Sequence, residues 1–327
     1  MPTGSSRSER ARDAISTLTH PPALSRAFFS HACSLAPALS LSRRGTIEFL
    51  THACCLYRDE SYRNQPAINI IKKMQLYLDS KTRFGDAPSP YVYPAYGLGE
   101  LPQSFARLTA VHGGTYMLNR GANDGPVFGE GKFELEMGPD GGAVGVKVMD
   151  TVANAKVVVA DPSYFPEMCN TTGKVVRAIA IVNEPLPNTG NPPASSYQVI
   201  YPGGSIGRAN DVYLFCGSST LKVAPEGKYI VFVSTNVEGP TEGMSAEAVA
   251  QRELSAGLAQ VKGIVRIFYD MYDMMVPKST GEKERCFLTQ SFDPTTHFET
   301  AITDVLAVYK RITGKELELT DGPGTSE

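Results

Sequence analysis

The chain has 327 residues, of which 42% are hydrophobic and 20% charged, and its formal net charge is −3. This composition is typical of a folded protein, and the mild acidity leaves no general basic field for binding nucleic acid. No uninterrupted apolar run reaches the roughly 18 residues that a membrane-spanning helix needs. The six cysteines form neither a CxxC pair nor a disulfide framework, which indicates reduced thiols in an intracellular protein.

The first 45 residues differ in composition from the rest. They hold six of the 31 basic residues, all arginine, but only two of the 34 acidic residues, which leaves residues 46–327 with 25 basic and 32 acidic side chains and a net charge of −7. Arg- and Ser-rich, acid-poor beginnings occur in organelle transit peptides as well as in disordered leaders. We interpret residues 1–45 as a disordered leader outside the folded domains.

Two helices are predicted after this leader. Apolar residues recur at helical spacing over Ile47–Tyr57, and a second amphipathic segment runs from about Gln65 to Leu78 with Pro66 near its first turn. Glycine and proline residues within Phe84–Pro90 then break the pattern. The beginning of the folded chain is therefore predicted to be helical.

A strand, a helix and a second strand are predicted next. Tyr91–Tyr96 is aromatic and extended, Leu101–Leu108 has helical spacing with a proline near its start, and Thr115–Leu118 follows two glycines as a short strand. Glu100 and Arg107 bracket the helix about two turns apart, and therefore lie on the same face.

This region is the best candidate for a functional surface. Glu100, Arg107, Thr115 and Met117 would bring charged, hydroxyl and flexible apolar groups together, which is typical of a protein-binding platform. The alternative is a surface ion pair between Glu100 and Arg107 above a buried strand. The pattern alone leaves both interpretations open.

Strands dominate the rest of the chain. The predicted strands are Lys132–Met137, Val144–Met149, Ala155–Ala160, Val175–Val182, Tyr197–Tyr201, Asp211–Cys216 and Lys228–Val237. Helices are predicted at Ala246–Met274 and Glu299–Ile312, with Gly314 as a C-terminal stop. Because strands and helices do not alternate strictly, the sequence predicts an α/β (α+β) fold with a mixed sheet.

The motifs of several enzyme classes are missing or sit in the wrong context. Neither GxGxxG nor GxxxxGK[ST] occurs, so the sequence offers no phosphate-binding loop. The GxSxG match at Gly203–Gly207 lies between two predicted strands, which favours a hairpin turn over a nucleophile elbow. Cys54 and Cys55 would point about 100° apart on a helix, so packing explains them and His52 better than a metal site does. We predict no catalytic residue, cofactor or metal.

One long stretch is similar to a known family. Residues 89–108, SPYVYPAYGLGELPQSFARL, followed by GGTYMLN at 113–119, closely resemble the signature of Rab GDP dissociation inhibitors. DPSY at 161–164 and DPTTHFET at 293–300 extend the resemblance, which covers about residues 46–316. Rab escort proteins share part of this signature, but the compact spacing is closer to the inhibitors. The family's usual N-terminal region, which includes a glycine-rich turn, has no counterpart before Thr46.

The resemblance implies an FAD/NAD(P)-binding-like fold without the dinucleotide motif, used for binding and not for redox chemistry. We therefore expect the remnant of a helical insert (domain II) at residues 46–86 and a sheet-rich domain I at 87–316. Residues 317–327 are expected to form a loose tail. A FAD-dependent oxidoreductase shares this fold and is an alternative that the missing GxGxxG disfavours.

The family's functional residues carry over to positions that match its motifs. The resemblance implies a Rab-binding platform at Glu100, Arg107, Thr115 and Met117. It also implies a flexible effector segment that includes Arg83, Phe84 and Ser89. The prenyl-binding pocket of the family lies among the helices of domain II, and the candidates here are Phe49, Leu50, Ile71 and Met74.

The implied function is that of a Rab GDP dissociation inhibitor, which is not an enzyme. Such a protein binds GDP-bound, geranylgeranylated Rab GTPases, slows GDP release and keeps Rab soluble during vesicle transport. We expect a monomeric cytoplasmic protein without a cofactor, which contacts membranes transiently through Rab, with activity reduced by the missing N-terminal region. A Rab escort protein, which presents Rab to a prenyltransferase, is the alternative.

Overall fold

The computed structural model describes residues 43–83, 90–118, 133–148, 151–190 and 194–318. The predicted leader, residues 1–45, therefore lies almost wholly outside the described residues. The helices of the described residues are α1 (Arg43–Glu48), α2 (Ala67–Thr82), α3 (Glu100–Val111), α4 (Gly203–Ile206), α5 (Ala246–Glu253), α6 (Ser255–Leu258) and α7 (Glu299–Thr313). Their strands are β1 (Phe133–Met137), β2 (Ala143–Val148), β3 (Thr151–Asn154), β4 (Val158–Ala160), β5 (Cys169–Val182), β6 (Ser196–Tyr201), β7 (Val212–Ser218), β8 (Tyr229–Asn236), β9 (Ile264–Pro277) and β10 (Cys286–Leu288).

The described residues fall into two compact units. The first contains those up to Val92 together with Ile200–Asp211, and the second contains those of Tyr93–Val199 and those from Val212 onward. The sequence predicts a domain boundary between residues 86 and 87, whereas the first unit continues to Val92. The predicted boundary also leaves Ile200–Asp211 in the sheet-rich domain, whereas the structure groups this segment with the helices. The domain assignment itself stays a prediction.

The first unit is helical. Helix α1 continues into a π-helical turn, Phe49–Cys54, in which the amide of Cys55 donates to the carbonyl of Leu50. The carboxylate of Asp59 caps a following 3-10 turn. Helix α2 then begins after Pro66, a residue that cannot donate a backbone hydrogen bond and is therefore tolerated at a helix start. Both predicted helices of this region are confirmed.

The second unit is built mainly of antiparallel strands. The strands β1, β2 and β3 form an antiparallel meander, whereas β4 and β10 pair in parallel. The largest sheet has the order β6-β7-β8-β5-β9, and its core includes Val176, Leu214 and Val233. Helix α5 contributes the buried Val249 to this core. The predicted combination of helices and strands is confirmed. The mixed sheet is not confirmed, because the parallel pair β4–β10 forms a sheet separate from the antiparallel pairs β5–β8, β5–β9 and β7–β8.

The predicted helix Ala246–Met274 is wrong beyond its first half. Only α5 and the one-turn α6 are helical, and Gly263, with a φ of 60°, precedes the long strand β9. The apolar residues of 264–275 fit a helical spacing as well as a strand, so their periodicity does not decide between the two. The antiparallel partner β5 decides, because it pairs with β9 along nearly its whole length.

Four smaller predictions also need correction. Tyr91–Tyr96 and Thr115–Leu118 contain no strand, since no strand of the described residues pairs with either segment. The GxSxG match forms helix α4, ended by Gly207 at a φ of 74°, and not a hairpin turn. Of the predicted strand Ala155–Ala160, only β4 is present.

The C-terminal helix α7 is confirmed, including its stop. Gly314 adopts a left-handed conformation with a φ of 69°, and its amide donates to the carbonyl of Lys310. Glycine adopts this conformation without the steric cost that a Cβ atom imposes. Among the described residues, no helix is long and apolar enough to cross a membrane.

Candidate protein-binding surface

The segment before helix α3 is fixed to the second unit. The ring of Tyr93 stacks on Phe215 at a centroid distance of 4.7 Å, and the amide of Tyr96 donates to the carbonyl of Leu221 over 2.8 Å. Two positive φ angles, 68° at Tyr96 and 95° at Gly97, then turn the chain into the helix. This turn sets where α3 begins, and with it the position of Glu100.

Glu100 and Arg107 lie on the exposed surface of α3. Glu100 is the first residue of the helix, where the helix dipole favours a carboxylate, and Arg107 lies about two turns further on the same face. Both side chains are exposed. Within the described residues, neither the carboxylate of Glu100 nor the guanidinium of Arg107 has an ion-pair partner.

Thr115 and Met117 follow the helix in an irregular segment. Gly113, with a φ of 85°, ends α3, and the amide of Gly114 donates to the carbonyl of Thr109 over 2.9 Å. Thr115 and Met117 are both exposed. The alternative of an ion pair above a buried strand therefore fails, because the strand is absent and the side chains of Glu100 and Arg107 are not joined.

This surface is more apolar than the four predicted residues suggest. Helix α3 has no buried residue, and Phe105 and Val111 keep 66% and 74% of their surface exposed. Leu118, at the end of the described segment, is 77% exposed. Sequence reasoning missed these residues, because an apolar stripe at helical spacing normally indicates a buried face. A contiguous exposed apolar patch marks a site of interaction.

The four prenyl-pocket candidates lie in the first unit on two neighbouring elements. Phe49 and Leu50 lie on the π-helical turn, while Ile71 and Met74 lie one turn apart on α2, which packs against that turn. The side chain of Phe49 is 49% exposed and the other three are half-buried. Met74 packs against a small core that Cys55, Tyr57 and Tyr62 form.

Part of the predicted effector segment can be located. Arg83 directly follows helix α2 as its C-terminal cap and is exposed. Phe84 and Ser89 lie outside the described residues. The role of this segment stays a prediction.

His52 has a packing role, as the sequence predicts. It is buried, and its Nδ1 atom lies 2.6 Å from Oδ2 of the equally buried Asp211. The other carboxylate oxygen of Asp211 accepts a hydrogen bond from the amide of Gly203 over 2.9 Å. Sequence reasoning missed Asp211 as the partner, because nothing in the local pattern joins residues so far apart.

Cys54 and Cys55, which follow His52 in the sequence, are buried core residues. Burial raises the pKa of Cys54 to about 11 and that of Cys55 to about 12. Thiols with such pKa values are protonated near neutral pH and are poor nucleophiles and metal ligands. The described residues contain no group of three or more His, Cys, Asp or Glu side chains placed to hold a metal ion.

Comparison with known proteins gives a consistent result. A family model described as GDP dissociation inhibitor matches residues 37–323. The guanosine nucleotide diphosphate dissociation inhibitor 2 of Arabidopsis thaliana is 44% identical over 274 residues, which cover 84% of this chain and 57% of that protein. The Rab GDP dissociation inhibitor beta of Canis lupus familiaris is 39% identical over 272 residues, covering 83% of this chain and 56% of that protein.

A solved structure supports the same relationship. The crystal structure of a Rab GDI from Plasmodium falciparum superposes with a TM-score of 0.73 at 31% identity, covering 88% of this chain and 60% of that one. The chain thus spans little more than half the length of these relatives.

Proposed function

Because the chain belongs to the GDP dissociation inhibitor family, we propose that it binds GDP-bound, geranylgeranylated Rab GTPases and slows their release of GDP. The observation that carries this proposal is the exposed surface on and after helix α3. Glu100 and Arg107 are exposed there without ion-pair partners in the part of the chain that the structure describes. The names of the Canis and Plasmodium relatives contain Rab, which supports this choice of partner.

The proposed platform combines two kinds of contact. The opposite charges of Glu100 and Arg107 would fix the orientation of a bound protein, since a mismatched partner would place like charges together. Met117 and the apolar residues of α3 would supply adaptable, water-excluding contacts. A charged pair beside exposed apolar groups is the arrangement that suits a platform for several related GTPases.

Inhibition of GDP release follows if the platform fits only the GDP-bound conformation of the partner. A ligand can shift an equilibrium only by its difference in affinity for the two states. Opening of the nucleotide site would then break contacts to the platform, so the bound GTPase would release GDP more slowly.

We assign the lipid-binding part of this function to Phe49, Leu50, Ile71 and Met74. Each buried methylene contributes about 0.8 kcal/mol, so a geranylgeranyl chain favours burial by on the order of ten kcal/mol. A carrier must offer a comparable apolar surface, or the lipid returns to the membrane. The exposed half of the Phe49 ring supports this assignment, because it leaves apolar surface free on the π-helical turn.

We also propose that the sheet-rich part follows the architecture of flavin-dependent monooxygenases but serves binding and not catalysis. The absence of GxGxxG from the sequence supports this, since that motif holds the dinucleotide phosphates in such enzymes. The protein would then be a cytoplasmic carrier that meets membranes only through its lipid-bearing partner.

Extraction of prenylated, GDP-loaded Rab from liposomes tests this proposal. The chain should move Rab from the lipid pellet into the supernatant and should slow the release of a fluorescent GDP analogue. If the chain neither extracts Rab nor slows the release of the GDP analogue, the proposal is overturned. Support of Rab prenylation by a prenyltransferase, without efficient extraction, would instead favour an escort function.

A further inference from the structure

Two side-chain contacts anchor the π-helical turn to the segment Ile200–Asp211. Within the turn, Nδ1 of His52 lies 2.6 Å from Oδ2 of Asp211. One residue before the turn, the carboxylate of Glu48 accepts a hydrogen bond of 2.8 Å from the hydroxyl of Ser205, the serine of the GxSxG match. His52, Asp211 and Glu48 are all buried. The backbone between Glu48 and His52 is therefore held at both ends by the same segment.

This segment is itself closed and tightly packed. The amide of Gly203 donates to Oδ1 of Asp211 over 2.9 Å, and the amide of Arg208 donates to the carbonyl of Gly203 over 2.8 Å. A Cβ atom on Gly203 would lie 2.8 Å from the carbonyl oxygens of Arg208 and Asn210, so the packing requires glycine there. The amide of Asp211 also donates to the carbonyl of Arg58 over 3.4 Å. Both anchors thus belong to one compact support.

A π-helical turn needs support of this kind. Its hydrogen bonds join residues five apart and not four, and such single turns are rare and often lie at functional sites. Here the amide of Cys55 donates to the carbonyl of Leu50 over 3.0 Å. If the turn relaxed to an α-helix, one residue would be displaced, and Phe49 would rotate by roughly 100° relative to the residues that follow. Phe49 and Leu50, two of the proposed lipid contacts, lie between the anchored residues Glu48 and His52.

We propose that Asp211 is a positioning residue for lipid binding, an inference that rests on the proposed lipid-binding function. Asp211 is buried and acts through His52, which keeps the π-helical turn in the geometry that presents Phe49 at the surface. Ser205 supports the same geometry through Glu48. The apparent affinity of a ligand falls with the fraction of molecules in the binding-competent conformation. Loss of an anchor therefore weakens lipid binding even while the protein stays folded.

Binding of a fluorescein-labelled geranylgeranyl peptide to the full chain tests this role. Anisotropy is measured at a temperature at which each variant is folded by circular dichroism. Asp211→Ala should raise the dissociation constant about tenfold, as expected if about a tenth of the molecules keep a competent turn. Asp211→Asn should restore most of the affinity, because its amide group can accept from Gly203 and donate to Nδ1 of His52. Asp59→Ala, which removes an exposed cap in the same unit, is the matched control and should leave the affinity unchanged.

A tryptophan reporter tests the geometry of the turn. The chain contains no tryptophan, so Phe49→Trp supplies a single fluorophore at the proposed lipid site. Its emission maximum and its quenching by acrylamide should change when Asp211→Ala is added, but not when Asp59→Ala is added. Ser205→Ala removes the second anchor at an exposed position and should weaken peptide binding about threefold. This variant provides the same test if Asp211→Ala does not fold.

Two failures are distinguishable. A wild type that does not bind the peptide would overturn the proposed lipid-binding function, and the role of Asp211 with it. A wild type that binds the peptide, together with folded Asp211→Ala or Ser205→Ala variants of unchanged affinity, would overturn the positioning role alone. Unchanged tryptophan emission in folded Asp211→Ala would do the same, since a residue that only stabilises the fold does not alter the folded conformation around Phe49.

Discussion

The imidazole of His52 and the carboxylate of Asp211 lie 2.6 Å apart, although 159 positions separate them in the sequence. Both side chains are buried, and the second oxygen of Asp211 accepts from the amide of Gly203. Glu48, four residues before His52, makes a second such link: its carboxylate accepts a hydrogen bond of 2.8 Å from the hydroxyl of Ser205. These bonds attach the segment Ile200–Asp211 to the helical part of the first unit, which carries the proposed lipid-binding residues.

Replacement of Asp211 should destabilise the first unit. Asp211→Ala leaves the buried imidazole of His52 and the amide of Gly203 without their acceptor, which should cost about 3 kcal/mol. Hydrogen exchange of the α2 amides measures this loss. Asp59→Ala is the control, because this exposed carboxylate only caps a 3-10 turn and its loss should cost about 1 kcal/mol. Equal effects of the two substitutions would contradict a special role for the buried pair.

Charge reversal on α3 should weaken Rab binding with little change in stability. Glu100→Lys and Arg107→Glu replace exposed side chains that have no ion-pair partner among the described residues. Arg107→Glu should leave stability unchanged, whereas Glu100→Lys places a cation at the start of the helix and should cost about 0.5 kcal/mol. Each should lower the affinity for GDP-bound Rab by about tenfold or more if the charges meet a partner. Titration calorimetry and thermal unfolding measure the two quantities. Lys262→Glu, outside α3, should leave both unchanged.

Phe49→Ser should separate lipid binding from protein binding. The ring is 49% exposed, so the substitution should cost little stability but should reduce the apolar surface proposed for the prenyl chain. We expect weaker extraction of prenylated Rab and unchanged affinity for unprenylated Rab. Leu76→Ser removes a similarly exposed apolar side chain from α2 and should leave extraction as it is. A loss of affinity for unprenylated Rab would argue against this division of roles.

An alanine at Gly281 should destabilise the protein more than an alanine at Gly227, because only Gly281 is closely packed against the backbone. Both have positive φ angles, 83° and 73°, but a Cβ atom at Gly281 would lie 2.3 Å from the carbonyl oxygen of Cys286, whereas a Cβ atom at Gly227 meets no atom within 4 Å. Gly227→Ala should therefore cost about 1 kcal/mol of backbone strain. Gly281→Ala should cost on the order of 3 kcal/mol or more, as measured by urea unfolding. Similar losses of unfolding free energy in the two variants would contradict this prediction, because they would show that the loop at Gly281 can move away from the added methyl group.

The buried cysteines should resist alkylation while the protein is folded. Burial raises the pKa of Cys55 and Cys216 to about 12 and that of Cys54 to about 11, so at pH 8 their thiolate fractions should be at least about a hundredfold below that of an ordinary cysteine. Peptide mapping after iodoacetamide treatment checks this, with urea-unfolded protein as the control. If these cysteines of the folded protein react with iodoacetamide as fast as those of the unfolded protein, the prediction is wrong.

The same pKa shifts predict how stability changes with pH. The folded state holds these thiol protons more tightly than the unfolded state does, so the unfolded state releases protons first as the pH rises above about 9. The free energy of unfolding should consequently fall between about pH 9 and pH 11. This loss should be smaller in a Cys55→Ala variant.

Much of the local structure could be predicted from the sequence. Pro66 marks the start of α2 and Gly314 the end of α7, because proline and glycine restrict or permit the backbone without help from distant residues. The hairpin between β1 and β2 also follows its glycine-rich turn. The signature around α3 was sufficient to indicate the family, which the comparisons then showed.

The exposed character of the candidate surface could not be predicted in this way. The apolar spacing of α3 is that of a helix with a buried face, and yet Phe105 and Val111 are exposed. Burial depends on which other segments reach a face, and helical periodicity contains no information about them. The platform residues Glu100, Arg107, Thr115 and Met117 were therefore proposed from their residue types, the spacing of Glu100 and Arg107 and the family motif, and not from any pattern of burial.

The sequence by itself determined the start of α2, the end of α7, most strands and the family of this protein, because capping, turn formation and alternation act between residues close in the chain. Only the tertiary structure decided that residues 264–277 form a strand. Their apolar spacing also fits a helix, and the hydrogen bonds to β5 are what make the strand the stable conformation. The pairing of His52 with Asp211 was likewise beyond the sequence. In both cases the deciding contacts join residues at least 82 positions apart, and such contacts exist only once the chain has folded.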